Sequence, residues 1–243
     1  SLPILIEIPP RVINAVPGKK IRINIQVEHP SGSWDSINVS VDYSLSLGLP
    51  STQRTVEHNE VHFSTIQVDF EAPSRPKELR IGTITITRNG EKASEPLPKL
   101  RILAPESYFE EMVAEKLRSL GYEVQRYGGP RNPDLVAYHP DQPGVKIQVE
   151  TTTESSYDLM KFRGDTGKYH GLKHAHNFQR LLIVTKSDRI ESGVQEVLGR
   201  IHEPFTLICY QDLGKLCSKY RNCQISKYEV VSKLTEAGFV GVP

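Results

Sequence analysis

At 243 residues, 37% of them hydrophobic and 24% charged, the chain is long enough to bury a core in each of two ordinary domains. Thirty basic against 29 acidic residues leave a formal net charge of +1, so charge alone neither supports nor excludes a nucleic-acid partner. Neither a membrane-length apolar run nor a secretory leader is found, which predicts an intracellular, cytoplasmic protein with no membrane partner. The first residue is Ser1 rather than Met, as in a fragment or a trimmed chain.

The first hundred residues carry only strand and turn signals. Runs rich in β-branched residues recur at residues 4–8, 20–27, 37–43, 61–70, 79–87 and 99–103. Turn residues separate these runs, and Asn89-Gly90 is the strongest hairpin signal among them. Regularly spaced short strands predict an antiparallel β-sandwich, immunoglobulin-like, of about seven strands over residues 1–104.

Residues 1–104 show no pattern of catalytic side chains. Their carboxylates are scattered, as on a solvated strand face. Trp34 lies in a predicted loop, and two interpretations stay open: an exposed contact residue, or a side chain folded over the sandwich edge. We therefore expect this domain to bind or position something, with a protein partner as one candidate.

The hydrophobic period changes near residue 104, which predicts the domain boundary. Pro105 is suited to the first turn of a helix, and Gly121 to its end. Apolar residues at spacings of mostly three and four residues define the helix between them: Phe109, Met112, Val113, Leu117 and Leu120.

Two short strands, at residues 132–138 and 145–151, predict a β-hairpin with its turn at residues 140–144. Asp134 stands at the head of the first strand. On the second strand Gln148 and Glu150 share a face with Lys146, because successive side chains alternate between faces. Carboxylate oxygens brought together in this way suit a hard cation such as Mg²⁺.

The remaining residues alternate helix and strand signals. We expect strands at 122–126, 181–185 and 205–210, a helix at 192–201, and two helical pieces at 157–162 and 170–180 that Gly164, Gly167 and Gly171 interrupt. This order predicts a mixed α/β sheet flanked by helices over residues 105–213. Residues 214–243 are expected to form a C-terminal helical extension, with Ser226 capping a helix at 227–237.

The hairpin residues resemble a known superfamily. Pro133-Asp134 followed by Gln148-Val149-Glu150 resembles the PD-(D/E)xK restriction-endonuclease-like nucleases, and the glutamine is similar to that of their Mrr-like branch. The preceding helix, which begins Phe109-Glu110, also follows the family pattern. The resemblance covers about residues 105–213 and leaves the first hundred unexplained.

The resemblance implies a metal-dependent DNA endonuclease that acts in restriction or defence. Asp134 and Glu150 would hold Mg²⁺, for which Mn²⁺ can substitute, and Gln148 would orient the metal or a water. Glu110 would support that water, with its neighbour Glu111 as the fallback. Nucleases of this fold often act as homodimers, because each site cuts one strand.

One position departs from the family pattern, the motif lysine. Glu150 stands there if Gln148 is aligned to the acid, and Thr152 stands there if Glu150 is. Three explanations stay open. An acid can serve as a further metal-binding group; Lys146 on the same strand face or Lys161 on the following helix can replace the lysine; or the site is inactive.

A basic segment follows the second hairpin strand at residues 159–180. Its cations are Lys161, Arg163, Lys168, Lys173 and Arg180, and its one acid is Asp165. Either these side chains contact a phosphate backbone or they form an ordinary solvated helix face.

Together with the resemblance, the sequence predicts a magnesium-dependent DNA endonuclease. The alternative is a catalytically degenerate nuclease fold that binds DNA or a protein partner.

Overall fold

The computed structural model describes residues 4–8, 10–28, 36–57 and 63–243. The chain divides into two compact units, Ser1–Ala104 and Pro105–Pro243. Trp34 lies outside the described residues. Within the described ranges, none of the helices is both long enough and apolar enough to cross a membrane.

The described part of the first unit is entirely β-structure. Its strands are β1 (Leu5–Glu7), β2 (Val12–Ala15), β3 (Lys20–Glu28), β4 (Ser36–Tyr43), β5 (Thr52–Glu57), β6 (Phe63–Glu71), β7 (Lys77–Arg80), β8 (Gly82–Arg88), β9 (Glu91–Pro96) and β10 (Lys99–Ile102). They form three sheets with the orders β1-β3-β6, β2-β10-β7 and β5-β4-β8-β9. One hydrophobic cluster contains residues of all three sheets, as a layered β-core requires.

Alternation along the strands explains this core. The side chains of β3 alternate strictly between exposed and buried, with Ile21, Ile23, Ile25 and Val27 buried. The predicted hairpin at Asn89-Gly90 is confirmed: Arg88 pairs with Glu91, and both turn residues have positive φ, 47° and 82°.

The strand count differs from about seven, because β2, β5 and β9 were not predicted and one predicted strand is divided. Five of the six side chains of β5 are exposed, so β5 lacks the apolar alternation that marks a half-buried strand. The predicted strand at residues 79–87 is interrupted at Ile81. Gly82 follows with φ +149°, and a Cβ there would lie 2.1 Å from the backbone oxygen of Asp42, so only glycine fits.

The second unit is a mixed α/β structure, as predicted. Its elements are α1 (Pro105–Ser119), β11 (Glu123–Arg126), β12 (Leu135–Tyr138), β13 (Ile147–Thr152), α2 (Leu159–His176), β14 (Arg180–Thr185), α3 (Ser192–Arg200), β15 (Phe205–Cys209), α4 (Tyr210–Arg221), α5 (Lys227–Leu234) and β16 (Gly238–Val240). The sheet order is β11-β12-β13-β14-β15-β16. The pairs from β11 to β13 are antiparallel, and those from β13 to β16 are parallel.

Each face of this sheet has its own hydrophobic core. The helices α1, α4 and α5 contribute to one core with Leu135, Ala137 and Val149. The helices α2 and α3 contribute to the other core with Val136 and Ile183. By the alternation of a strand, Gln148 and Glu150 therefore belong to the face that α2 covers.

The segment from Leu159 to His176 is one continuous helix rather than the two predicted pieces. Asp158 caps its first turn by accepting a hydrogen bond from the backbone N–H of Lys161 at 2.9 Å. Phe162 and Tyr169 are buried and anchor the helix to the core beneath it. This burial offsets the roughly 1 kcal/mol that each interior glycine costs.

The predicted C-terminal helical extension at residues 214–243 is wrong, because this segment is part of the second unit. Its strand β16 joins the sheet in parallel beside β15, and α4 and α5 bury side chains in the core under α1. Ser226 does cap α5, and Glu229 completes a capping box. The helix ends at Leu234, and Gly238 begins β16 instead of ending the helix.

We expect a fragment of residues 105–243 to fold alone and a fragment of residues 105–213 not to fold. The shorter fragment lacks Leu216, Val230, Leu234 and Val240, all buried. At about 1.5–3 kcal/mol each, their loss removes roughly 6–12 kcal/mol, which is as large as the stability of an ordinary domain. Thermal unfolding of both fragments by circular dichroism tests this, and a cooperative transition of the shorter fragment at the temperature of the longer one would contradict it.

Candidate active site

The hairpin of β12 and β13 brings two carboxylates together. Leu135 pairs with Val149, so Asp134, which directly precedes β12, lies beside Glu150. The backbone N–H of Asp134 donates to Glu150 Oε2 at 3.2 Å. Asp134 Oδ2 accepts hydrogen bonds from the backbone N–H of Thr151 at 2.9 Å and from its hydroxyl at 3.3 Å. Both acidic side chains are thus held by the backbone of the opposite strand.

A lysine of helix α2 lies at this carboxylate pair. Lys168 Nζ is 2.8 Å from Glu150 Oε1 and 3.7 Å from Asp134 Oδ1. The side chain of Lys168 is 23% exposed and that of Glu150 is 2% exposed, so the ion pair is largely shielded from water. The sequence predicted Lys168 only as a nucleic-acid contact, and the structure brings its amine to both acids.

The two lysines predicted as replacements have other partners. Lys146 Nζ donates to the backbone oxygen of His176 at 2.7 Å, and it lies over the ring of Phe178. Lys146 precedes β13 by one residue, four residues from Glu150, which is roughly 13 Å along a strand. Lys161 Nζ pairs with Glu154 Oε1 at 2.5 Å.

Gln148 lies on the same face of β13 as Glu150, two residues before it, and is completely buried. Its Nε2 donates to Glu150 Oε1 at 2.9 Å. Its Oε1 is also buried and has no hydrogen-bond partner among the described residues. A buried acceptor without a partner costs about 1–3 kcal/mol, so this oxygen favours a site that a water or a cation completes.

Burial raises the pKa of Glu150, and the charge of Asp134 raises it further, against the opposing effect of Lys168. On α1, burial also raises the pKa of Glu110, and the charge of Asp134 raises it further. The hydrogen bond from Arg126, at 2.9 Å, acts in the opposite direction. Glu110 is therefore within electrostatic reach of Asp134.

The fallback acid of α1, Glu111, is held in ion pairs. Arg118 Nη1 lies 3.2 Å and Arg126 Nη1 lies 3.3 Å from its carboxylate oxygens. The first contact lies within α1, and the second joins α1 to β11. Arg126 Nη2 also pairs with Glu110, at 2.9 Å, so both acids are held in ion pairs. Glu110 differs in that the charge of Asp134 acts on its pKa.

The oxygen donors at this site fit Mg²⁺. Among the described residues there is no group of three or more His, Cys, Asp or Glu side chains that could hold a metal ion. Magnesium, however, commonly binds through one or two carboxylates and keeps several waters. Asp134 and Glu150 supply the carboxylates, and the unpartnered oxygen of Gln148 adds a neutral donor of the same type.

Sequence reasoning missed a third acid near Lys168 as a member of the site. Asp165 lies one helical turn before it, and burial raises the pKa of Asp165 to about 6, with a further contribution from the charge of Asp134. Lys161, Asp165 and Lys168 recur at spacings of four and three residues, which would place them on one face of a helix. Because the segment was predicted as two pieces, this periodicity was not used.

The five side chains predicted to contact nucleic acid have different surroundings. Lys161 is paired with Glu154, and Lys168 is at the carboxylates. Burial lowers the pKa of Arg180, and two of its guanidinium nitrogens are buried without a partner in the described part of the chain. Arg163 is exposed and Lys173 is half-buried on α2.

No protein-family model and no curated protein matches this chain. Among solved structures, the CARDB domain of the PF1109 protein from Pyrococcus furiosus, in complex with di-metal ions, is 16% identical over 42% of this chain and 93% of that one, with a TM-score of 0.29. The alkylpurine DNA glycosylase AlkC from Pseudomonas fluorescens, bound to DNA containing an abasic site analog, is 18% identical over 40% of this chain and 30% of that one, with a TM-score of 0.24. EndoMS in apo form is 12% identical over 70% of this chain and 87% of that one, with a TM-score of 0.30. Each of the three structures is similar to only part of this chain.

Proposed function

We propose that the second unit is a magnesium-dependent DNA endonuclease that hydrolyses phosphodiester bonds. The observation that carries the proposal is the position of Lys168 Nζ, 2.8 Å from Glu150 and 3.7 Å from Asp134. The strand motif resembles that of the PD-(D/E)xK nucleases except for its lysine. An amine from α2 at the same acids supplies the missing type of side chain.

Asp134 and Glu150 would hold the metal, with Gln148 as the neutral oxygen donor. When bound there, Mg²⁺ would stabilise charge on the scissile phosphate and lower the pKa of a water, and Mn²⁺ would substitute for it. Glu110 would accept a hydrogen bond from the attacking water. Its existing bond to Arg126 holds the carboxylate in place for this role.

Lys168 would act as a positive charge rather than as a base. Burial alone would lower its pKa, but the hydrogen bond to Glu150 and the charges of Glu150, Asp134 and Asp165 outweigh burial and raise it. Lys168 is therefore protonated at neutral pH. A fixed ammonium group beside the scissile phosphate would neutralise the negative charge that develops as the bond breaks.

The remaining roles follow from the resemblance and from the surface of α2. Arg163 and Lys173 are the proposed phosphate-backbone contacts. Two copies of the chain would be needed to cut both strands at once, which favours a homodimer. The first unit, proposed as an immunoglobulin-like sandwich, would bind a partner protein or position the substrate, and restriction or defence is the proposed context.

We expect the purified protein to nick supercoiled plasmid DNA with Mg²⁺ or Mn²⁺ and to stop when a chelator is added. Agarose-gel conversion of supercoiled to nicked and linear plasmid measures this, and a labelled RNA of the same sequence serves as the comparison substrate. DNA retained in a gel-shift assay but left uncut with either metal would favour the degenerate binding protein instead. Cleavage of RNA but not of DNA would change the substrate class.

A further inference from the structure

Lys168 stands on a stretch of α2 that has few fixed points. Between Phe162 and Tyr169, the side chains of the helix are exposed or only partly buried. Gly164 and Gly167 lie in the same stretch, and glycine has a low helix propensity because its backbone is free. The direction of Lys168 therefore depends on contacts that the helix makes with residues outside it.

A partly buried hydrogen bond joins this stretch to the segment before the helix. The hydroxyl of Tyr157 donates to Asp165 Oδ2 at 2.5 Å. Tyr157 is 1% exposed, and its own backbone is held on both sides: its N–H donates to Arg189 at 2.8 Å, and its oxygen accepts from Glu191 at 3.0 Å. Asp165 is thus hydrogen-bonded to a tyrosine that is buried and held by its backbone.

Asp165 lies on the side of α2 that faces the carboxylates. The groups that act on its charge are Tyr157 before the helix, Lys161 and Lys168 on the helix, and Asp134 at the head of β12. Residues three apart on a helix are neighbours on its surface. Fixing Asp165 therefore also fixes the turn from which Lys168 extends towards Glu150.

We infer that the hydrogen bond between Tyr157 and Asp165 positions Lys168 at the carboxylate pair. This inference rests on the proposed function and assigns it two positioning residues, neither of which needs to touch the substrate. The inferred role is that of the hydrogen bond. Asp165→Asn separates this role from the charge of Asp165, because an asparagine oxygen at the same place can also accept from the Tyr157 hydroxyl.

A double-mutant cycle on single-turnover DNA cleavage tests this role. Tyr157→Phe and Asp165→Ala should each lower the rate constant by about 10-fold, with DNA affinity unchanged, because a partly buried hydrogen bond of ordinary strength is lost. The double variant should be no slower than Asp165→Ala alone. Asp165→Asn should keep the wild-type rate, and so should Thr166→Ala, the matched control on the same helix. Additive losses, or equal losses for Asn and Ala, would overturn the inference.

A second readout does not depend on cleavage. Acylation of the Lys168 amine by an N-hydroxysuccinimide ester, followed by mass spectrometry, should be faster in Tyr157→Phe and Asp165→Ala, because the amine leaves its ion pairs. Asp165→Asn and Thr166→Ala should match the wild type. Equal reactivity in all variants would overturn the positioning role even in a protein that cuts DNA. The expected order in a protein that does not cut DNA would support positioning and reject the nuclease proposal.

Discussion

An Asp134→Asn protein should fold normally and should cut DNA at least about 10³-fold more slowly than the wild type under single-turnover conditions. The substitution removes the negative charge that would hold the metal. In the wild type, the backbone N–H of Thr151 donates to Asp134 Oδ2 at 2.9 Å. Asparagine keeps an oxygen that can accept this hydrogen bond. The loss should therefore be one of chemistry and not of structure.

Asp141→Asn is the matched control for this substitution. Asp141 lies at the other end of the same hairpin, is 58% exposed in its side chain, and pairs with Lys227 at 3.1 Å. Its variant should cut at the wild-type rate. Equal thermal unfolding of both variants would establish that they are folded. Wild-type cleavage by a folded Asp134→Asn protein would reject the metal site.

The local part of the site could be predicted from the sequence. The β-branched residues and flanking turn residues of the hairpin predict two antiparallel strands, and the pairing of Val136 with Gln148 brings Asp134 and Glu150 together. The same holds for α1, whose apolar spacing and final Gly121 predict a helix. In both cases the signal lies within fifteen or so residues of continuous chain.

The position of Lys168 could not be predicted in that way. Its amine reaches Glu150 because Phe162 and Tyr169 pack into the core on the α2 face, and that core forms with strands distant in the sequence. The glycines of α2 also concealed the helix, since propensity alone favours a break. Tertiary packing determines both the position of the Lys168 amine and the continuity of α2, and it leaves no pattern in the local sequence.

The C-terminal segment shows a similar limit. Tyr210, Leu213, Leu216 and Tyr220 recur at helical spacing, a usable signal for α4 that was not recognised. Strand β16 has only three residues, too few to show alternation, and it exists because β15 offers a parallel edge. Its place in the sheet follows from the fold and not from its own residues.

Lys168→Met should lower the single-turnover rate constant by about 10²- to 10³-fold, the usual cost of losing one fixed group that stabilises developing charge. Methionine keeps most of the apolar stem and removes the amine. Additional Mg²⁺ should not restore the rate, because both carboxylates remain. DNA affinity should change little, since one cation among several contacts is lost.

The measurement that tests the central claim most directly compares Lys168→Met with Lys161→Met and Lys146→Met in single-turnover cleavage at saturating Mg²⁺. All three remove an amine near the hairpin or on α2, but the structure places one of the three at Asp134 and Glu150. We predict that the Lys168 variant alone loses at least about 10²-fold. A wild-type rate for Lys168→Met, or an equal loss for Lys161→Met, would contradict the account.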